Sequence, residues 1–379
     1  MTQSFHPATR LGQRFQVDEV VVVICHAVNA CEPKACPGQK SSNAGPMVHS
    51  VDRPSWRFAM SDPADRAPRR PAISVVFATR DRAVQLRETL AAYRAVSSSD
   101  LEWELVVADN GSTDATAEVL TAAGNDLPLI SLHVGEPGKN RALNVALAHV
   151  GGDLVVFTDD DVIPAPDCLH AYLAASRRWP SDAIFGARVV PRFPIGTPDW
   201  LASPAFEFGT TAFARYEPAS AEGPVSRHPY GPSFAVRRSA MTDHRFPEHL
   251  GPQGNAYAMG GEAGFLRTLA ADGHRYIYVP EARVEHVVRD EQIHEAWLVR
   301  RARNKGRGQV YLPSRKKPRR LFVAGAPLRL WLATARAALR YGIARLTRNT
   351  KRRVRYGVKY ALRAGELDER RRRRRTPID

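Results

Sequence analysis

Leu154-Val155-Val156-Phe157-Thr158-Asp159-Asp160-Asp161 is the stretch on which the reading of this chain turns. Its apolar half has the length and β-branched content of a buried strand, and three carboxylates follow it directly. Like charges on consecutive residues repel unless a cation, a hydrogen-bond donor or water relieves them. A hard divalent ion such as Mg2+ or Mn2+ does this well. It prefers oxygen, takes one or two protein carboxylates and fills its other positions with water and phosphate oxygens. A solvated acidic turn ahead of a helix near Pro166 accounts for the same residues without a ligand, so the neighbouring strands must decide.

Toward the amino terminus, Ile73-Ser74-Val75-Val76-Phe77, Leu105-Val106-Val107-Ala108 and Leu129 to Val134 are further strand-like runs. Helical patterns at Val84 to Val96, Asp114 to Ala123 and Arg141 to Val150 separate the runs. This α/β alternation implies right-handed crossovers and a Rossmann-like, mostly parallel central sheet flanked by helices. Such sheets bind ligands outside the carboxyl ends of their strands. Thr79-Arg80-Asp81 follows the first run, Asp109-Asn110-Gly111-Ser112 the second and Asp159-Asp160-Asp161 the fourth, so three polar clusters converge on one crevice. Gly138-Lys139-Asn140-Arg141 opens a helix whose amino-terminal dipole and two cations suit phosphate, and Arg141 and Asn144 share a face of its first turn. The glycine spacing excludes a Walker A loop, and no GxGxxG follows the first strand, which removes the main support for a dinucleotide oxidoreductase.

In this order the motifs resemble those of the family 2 glycosyltransferases of the GT-A fold. Ile73 to Arg82 is similar to that family's opening strand and nucleotide-binding loop, Asp109 to Asp114 to its second-strand signature, and Gly138 to Asn144 to its third motif. Asp159-Asp160-Asp161 resembles its DXD element, and Gly231 to Arg238 its acceptor-side strand. The resemblance runs from about Pro71 to Tyr311 and implies donor-binding roles for Thr79, Arg80, Asp81, Asp109, Lys139, Arg141, Asn144, Asp159 and Asp160. Within these, Asp109 would contact the base and Asp159 the ribose, while Asp161 would coordinate Mn2+ or Mg2+ with His286 joining the metal or the diphosphate. A lone His is also commonly structural. The family usually has Glu-Asp where this chain has Glu262-Ala263, so the resemblance leaves Glu262, or another carboxylate, as the catalytic base. Glu at the start of a helix running to Ala271 is equally ordinary as a dipole partner. The implied chemistry is metal-assisted, inverting transfer of a sugar from a nucleotide-sugar donor to a hydroxyl of a glycan or lipid-linked acceptor. A GT-A-fold binding protein without activity, acting through an Arg-rich tail, is the alternative that Ala263 favours. Acceptor contacts are expected between about Pro191 and Gly254.

The remaining sequence frames this core. The formal charge is +16, but from Arg315 onward there are 22 Lys or Arg against 4 acids, a net +18 that leaves the rest of the chain at −2. A basic tail on a near-neutral body argues for an electrostatic anchor and against a nucleic-acid-binding core. Leu328, Trp331, Leu332, Ala335, Leu339, Ile343 and Leu346 recur at helical spacing with Arg329, Arg336, Arg340 and Arg345 interleaved. Such a basic amphipathic helix suits an anionic membrane surface or, alternatively, packs on the enzyme body. Arg300, Arg301 and Arg303 are either diphosphate contacts or a solvated face. Residues 1–70, rich in Pro, Ser and charge with one apolar run at Val20 to Cys25, are expected to be mostly disordered, with Met47 or Met60 as alternative starts. Domain boundaries are therefore expected at 1–70, 71–311 and 312–379. Cys25, Cys31, Cys36 and Cys168 form no CxxC pair, which argues against a zinc site. No segment has the length of a membrane span or the order of a secretory signal, so a cytoplasmic protein, peripheral on the inner face of the membrane, is expected.

Overall fold

The computed structural model describes residues 22–24, 70–96, 100–252, 257–312 and 321–375. The expected disorder before Arg70 falls, apart from 22–24, outside these residues, as do Cys25, Cys31 and Cys36 and the basic stretch 313–320. The strands are β1 (Val22–Ile24), β2 (Ile73–Thr79), β3 (Trp103–Asp109), β4 (Leu129–His133), β5 (Leu154–Thr158), β6 (Val162–Pro164), β7 (Ile184–Arg192), β8 (Gly223–Val225), β9 (Ser233–Arg237) and β10 (Tyr276–Val287). They share one sheet in the order β1-β4-β3-β2-β5-β9-β7-β10-β6, with β8 against β10. A further pair, β11 (Phe322–Val323) and β12 (Ala326–Pro327), forms a separate hairpin. The helices are α1 (Ala83–Arg94), α2 (Thr116–Ala123), α3 (Lys139–Ala146), α4 (Cys168–Arg178), α5 (Asp199–Ala202), α6 (Glu207–Ala212), α7 (Gly261–Ala271), α8 (Glu295–Gly308), α9 (Leu328–Arg345) and α10 (Thr350–Arg375).

The stretch that alternates strand and helix gives parallel pairing through β4-β3-β2-β5. All seven residues of β2 and all five of β5 are buried, as befits strands covered on both faces. Ile73, Val75 and Phe77 of β2 pack with Leu86 and Leu90 of α1 and Tyr172 of α4. Val76 and Ala78 face the other way, toward Ala142 and Leu143 of α3 and Phe265 and Leu266 of α7. Beyond β5 the sheet becomes mixed, because β9 inserts antiparallel between β5 and β7. The apolar run near the amino terminus supplies β1, an antiparallel edge strand on β4.

Phe157 of β5 is surrounded by Phe234, Phe246 and Phe265, with ring centroids 4.9, 5.2 and 5.9 Å away. This cluster fixes α7 against the strand that ends in the aspartates. On the far side, β10 continues past a register shift between Val279 and Arg283 until His286 stands opposite Val162 of β6.

Of the two readings of the carboxyl-terminal stretch, the structure bears on the packed one. α9 and α10 are helical as expected, but they are not a free tail. Val354, Val358 and Ala361 of α10 join Leu298 and Ala302 of α8 in one apolar cluster. The two backbones cross at glycines: a methyl group on Gly306 would collide with the Leu362 carbonyl, and one on Gly365 with the Arg303 carbonyl. Arg303, a diphosphate candidate by sequence, pairs instead with Asp368 of α10, and the Arg301 guanidinium lies 5.1 Å from the centre of the Trp297 ring.

Gly306→Ala and Gly365→Ala should each lower stability by about 1–3 kcal/mol through overpacking, outweighing the helix-propensity gain of up to about 1 kcal/mol. Urea denaturation reads this as a lower midpoint. A midpoint at or above that of the parent would show that α8 and α10 are not packed this closely.

Candidate functional site

The carboxyl ends of β2, β3 and β5 lie on one edge, with Thr79 opposite Asp109 in the ladder and Phe157 opposite Val76. The Thr79 hydroxyl, buried at the end of β2, donates to Asp160 Oδ2 at 2.7 Å, and the Thr89 hydroxyl of α1 donates to the Asp160 carbonyl at 2.9 Å. Asp160 is therefore pinned inward. Asp81 adopts a left-handed backbone (φ 50°) and accepts hydrogen bonds from the Thr113 amide (2.7 Å) and hydroxyl (3.1 Å). The Thr113 amide is the main cause of a lowered Asp81 pKa. Its own amide donates to Ser112 Oγ at 2.9 Å, so the two loops after β2 and β3 interlock. Arg80 is exposed beside them. Asp109 is buried, accepts from the Ser112 amide at 3.0 Å, and has His133 Nδ1 3.7 Å from its second oxygen.

Lys139, the first residue of α3, reaches Asp159 Oδ1 at 2.6 Å and Glu262 Oε1 at 3.0 Å. Burial pulls its pKa down, but the charges of Asp159 and Glu262 prevail and hold it above the ordinary lysine value. Glu262 stands in the first turn of α7. Gly231 forms the floor beneath this group, since a β-carbon there would lie 3.1 Å from Glu262 Oε1 and 3.6 Å from Asp159 Oδ2. A side chain at position 231 would fill the space between Asp159 and Glu262.

Asp161 faces β10. Its Oδ1 lies 3.6 Å from His286 Nε2, and its Oδ2 accepts a hydrogen bond from Arg289 at 2.9 Å. His286 is buried, and its Nδ1 lies 2.9 Å from the Phe213 carbonyl. A carbonyl only accepts, so Nδ1 carries the proton, and Nε2 is the ring nitrogen turned to Asp161. An imidazole oriented by a carbonyl and aimed at a carboxylate fits a divalent metal. Among the described residues no third His, Cys, Asp or Glu completes the group. The donor set therefore suits an ion whose remaining ligands are water and phosphate oxygens.

Arg141 and Asn144 turn elsewhere. The Asn144 amide brackets Phe246, donating to its carbonyl at 3.0 Å and accepting from its amide at 2.9 Å, and Arg141 pairs with Glu136 and Glu248. Asn140 donates to the carbonyls of Pro247 (2.8 Å) and Leu250 (3.0 Å). Together they tie α3 to the turn before α7. The sequence reading missed Arg289 and Gly231 as site residues. Gly231 precedes β9 and Arg289 follows β10, and neither has a local sequence signal for its contact with a carboxylate.

Comparison with known proteins finds glycosyltransferases. The family model described as Glycosyl transferase family 2 matches residues 74–245. An uncharacterized glycosyltransferase of Bacillus subtilis, YfnE, is 38% identical over 80 residues, 20% of this chain and 20% of that protein, so the likeness spans a fifth of the relative's length. The glucosyl-dolichyl phosphate glucuronosyltransferase of Haloferax volcanii is 26% identical over 242 residues, covering 61% of this chain and 74% of that protein. Among solved structures, the Pyrobaculum calidifontis mannosyltransferase PcManGT, in complex with GDP-Man and Mn2+, superposes with a TM-score of 0.52 at 22% identity over 81% of this chain and 90% of that one. The fold is the GT-A type.

Burial, then repulsion from Asp161, raises the Asp160 pKa to about 6, against Arg82 and the Thr79 hydrogen bond. A carboxylate raised on folding stabilises the fold below its unfolded pKa of about 4, and that contribution is lost as pH rises through the folded value. In metal-free protein, wild-type stability measured relative to Asp160→Asn should thus fall between about pH 4 and pH 6 to 7. A difference that stays flat across this range in paired denaturation curves would refute the raised pKa.

Proposed function

We propose that this chain, whose residues 74–245 match the Glycosyl transferase family 2 model, transfers a sugar from a nucleoside-diphosphate sugar to a hydroxyl of a glycan or lipid-linked acceptor, with inversion. The observation that carries the reading is the Asp161–His286 pair, with His286 Nδ1 bound to the Phe213 carbonyl and Nε2 turned to the carboxylate. These two residues would hold Mn2+ or Mg2+, which when bound neutralises charge developing on the leaving diphosphate.

The chain's own groups divide the remaining work. Asp109 and the interlocked loops at Thr79, Arg80 and Asp81 receive the nucleoside, and Asp159 the ribose. Lys139, at the amino-terminal end of α3, offers a cation and a helix dipole to the diphosphate. Arg141 and Asn144 serve the same donor indirectly by fixing α3 to the Phe246–Glu248 turn. Glu262, across Lys139 from Asp159, takes the proton of the acceptor hydroxyl as its oxygen attacks the anomeric carbon, and the bond from that carbon to the diphosphate oxygen breaks. With Ala263 beside it, Glu262 is the carboxylate of its turn placed to do so. The relative named as acting on a dolichyl phosphate supports the lipid-linked class of acceptor.

Asp161→Ala should abolish Mn2+-dependent binding of GDP and UDP in calorimetric titration, since diphosphate charge would then meet unrelieved aspartates. Unchanged affinity of the variant, or wild-type protein that binds neither, would sink the metal assignment.

Glu262→Gln should keep donor affinity while turnover falls roughly 10²-fold or more, the range for losing a positioned base. Turnover near wild type in a nucleoside-diphosphate release assay would clear Glu262 of the role.

A further inference from the structure

α9 rests on α10 through one face: Leu330 packs with Leu367, and the Tyr341 and Tyr360 rings stack with centroids 6.0 Å apart. Its opposite face has no cover among the described residues. Leu332, Leu339, Ile343 and Leu346 are 51%, 67%, 49% and 88% exposed. With 3.6 residues per turn, these four and Ala335 fall within an arc of roughly 80°. Arg329, Arg336 and Arg340 border that stripe, and the helix carries no acidic residue.

The patch continues past the helix start. Leu321, Phe322 and Val323 are exposed, and they are held to α9 by the Leu328 amide on the Leu321 carbonyl (2.8 Å) and the Trp331 indole on the Val323 carbonyl (2.9 Å). The Arg371 guanidinium lies 5.5 Å from the centre of the Trp331 ring, and Arg371 to Arg374 are exposed. An apolar stripe edged by arginines, with a tryptophan at one end, is the composition of a helix that lies in a lipid interface.

We propose that the outer face of α9, with Leu321 and strand β11, docks on an anionic phospholipid bilayer. Charge decides between this occupant and a second copy of the chain. Symmetric pairing of α9 would set arginines against arginines with no carboxylate on the helix to relieve them, whereas phosphate headgroups match the arginines and acyl chains the leucines. The dock also has a defined relation to the site. Tyr341 of α9 and Arg353 of α10 both bond to Glu295, each at 3.1 Å, and Glu295 opens α8 in the segment that follows Arg289. The surface is independent of the transfer chemistry proposed above.

Flotation of the full chain with phosphatidylcholine vesicles, with and without phosphatidylglycerol and at low and high salt, tests the proposal. Wild type should float with the anionic vesicles. Leu339→Glu with Ile343→Glu should cut vesicle affinity tenfold or more, because charge then enters the apolar stripe. Arg336→Gln and Arg340→Gln should each cost roughly fivefold at low salt and less at high salt. All four positions are solvent-facing, and an unchanged melting temperature confirms folded variants. Unchanged flotation of the Leu339/Ile343 variant would overturn the proposal. So would a wild type that ignores vesicles, including one that sediments as a dimer which those substitutions split, which would assign the face to a second copy.

Discussion

Three carboxylates on consecutive residues at the end of a buried strand would push one another apart if left to themselves. Here each is answered from a different element. Lys139 at the head of α3 meets Asp159, Thr79 at the end of β2 meets Asp160, and Arg289 and His286 at the end of β10 meet Asp161. The arrangement of β2, α3 and β10 around β5 is thus a condition for tolerating the aspartates. Leaving one such partly buried charge unpaired costs several kcal/mol, on the order of 3–5. That penalty makes the placement of three distant segments mutually dependent.

The same residues join the two halves of the site. Lys139 touches Asp159 after β5 and Glu262 at the head of α7, and Gly231 keeps the space between them open. Behind them the Phe157, Phe234, Phe246 and Phe265 cluster sets the distance between β5 and α7. Polar contacts in front and aromatic packing behind hold one geometry, as expected of a site built on rigid elements rather than on loops alone.

Much of this was legible in the sequence. Parallel strands buried on both faces read as unbroken apolar runs, so β2, β3, β4 and β5 and the polar residues at their ends were visible directly. That Asp161 and His286 would come together, and that Glu262 would belong to the same site, was implied only by the family resemblance, since those residues are far apart in the chain. Other features have no local signature. Arg141 and Asn144 sit where phosphate ligands are expected, yet they bind the Phe246–Glu248 turn, which the chain reaches about a hundred residues later. The amphipathic pattern of α9 predicted a helix with an apolar stripe. It did not separate the positions that pack on α10 from those left facing solvent, because both sets recur at helical spacing. The antiparallel insertion of β9 likewise depends on long connections that leave no periodic trace.

The glycine crossing of α8 and α10 has a mechanical consequence. Where helices meet through long side chains, rotamer changes can absorb a small slide of one past the other. At Gly306 and Gly365 backbone meets backbone, and that compliant layer is missing. α10 therefore acts as a splint on α8. Sliding one helix along the other would first require the two backbones to separate.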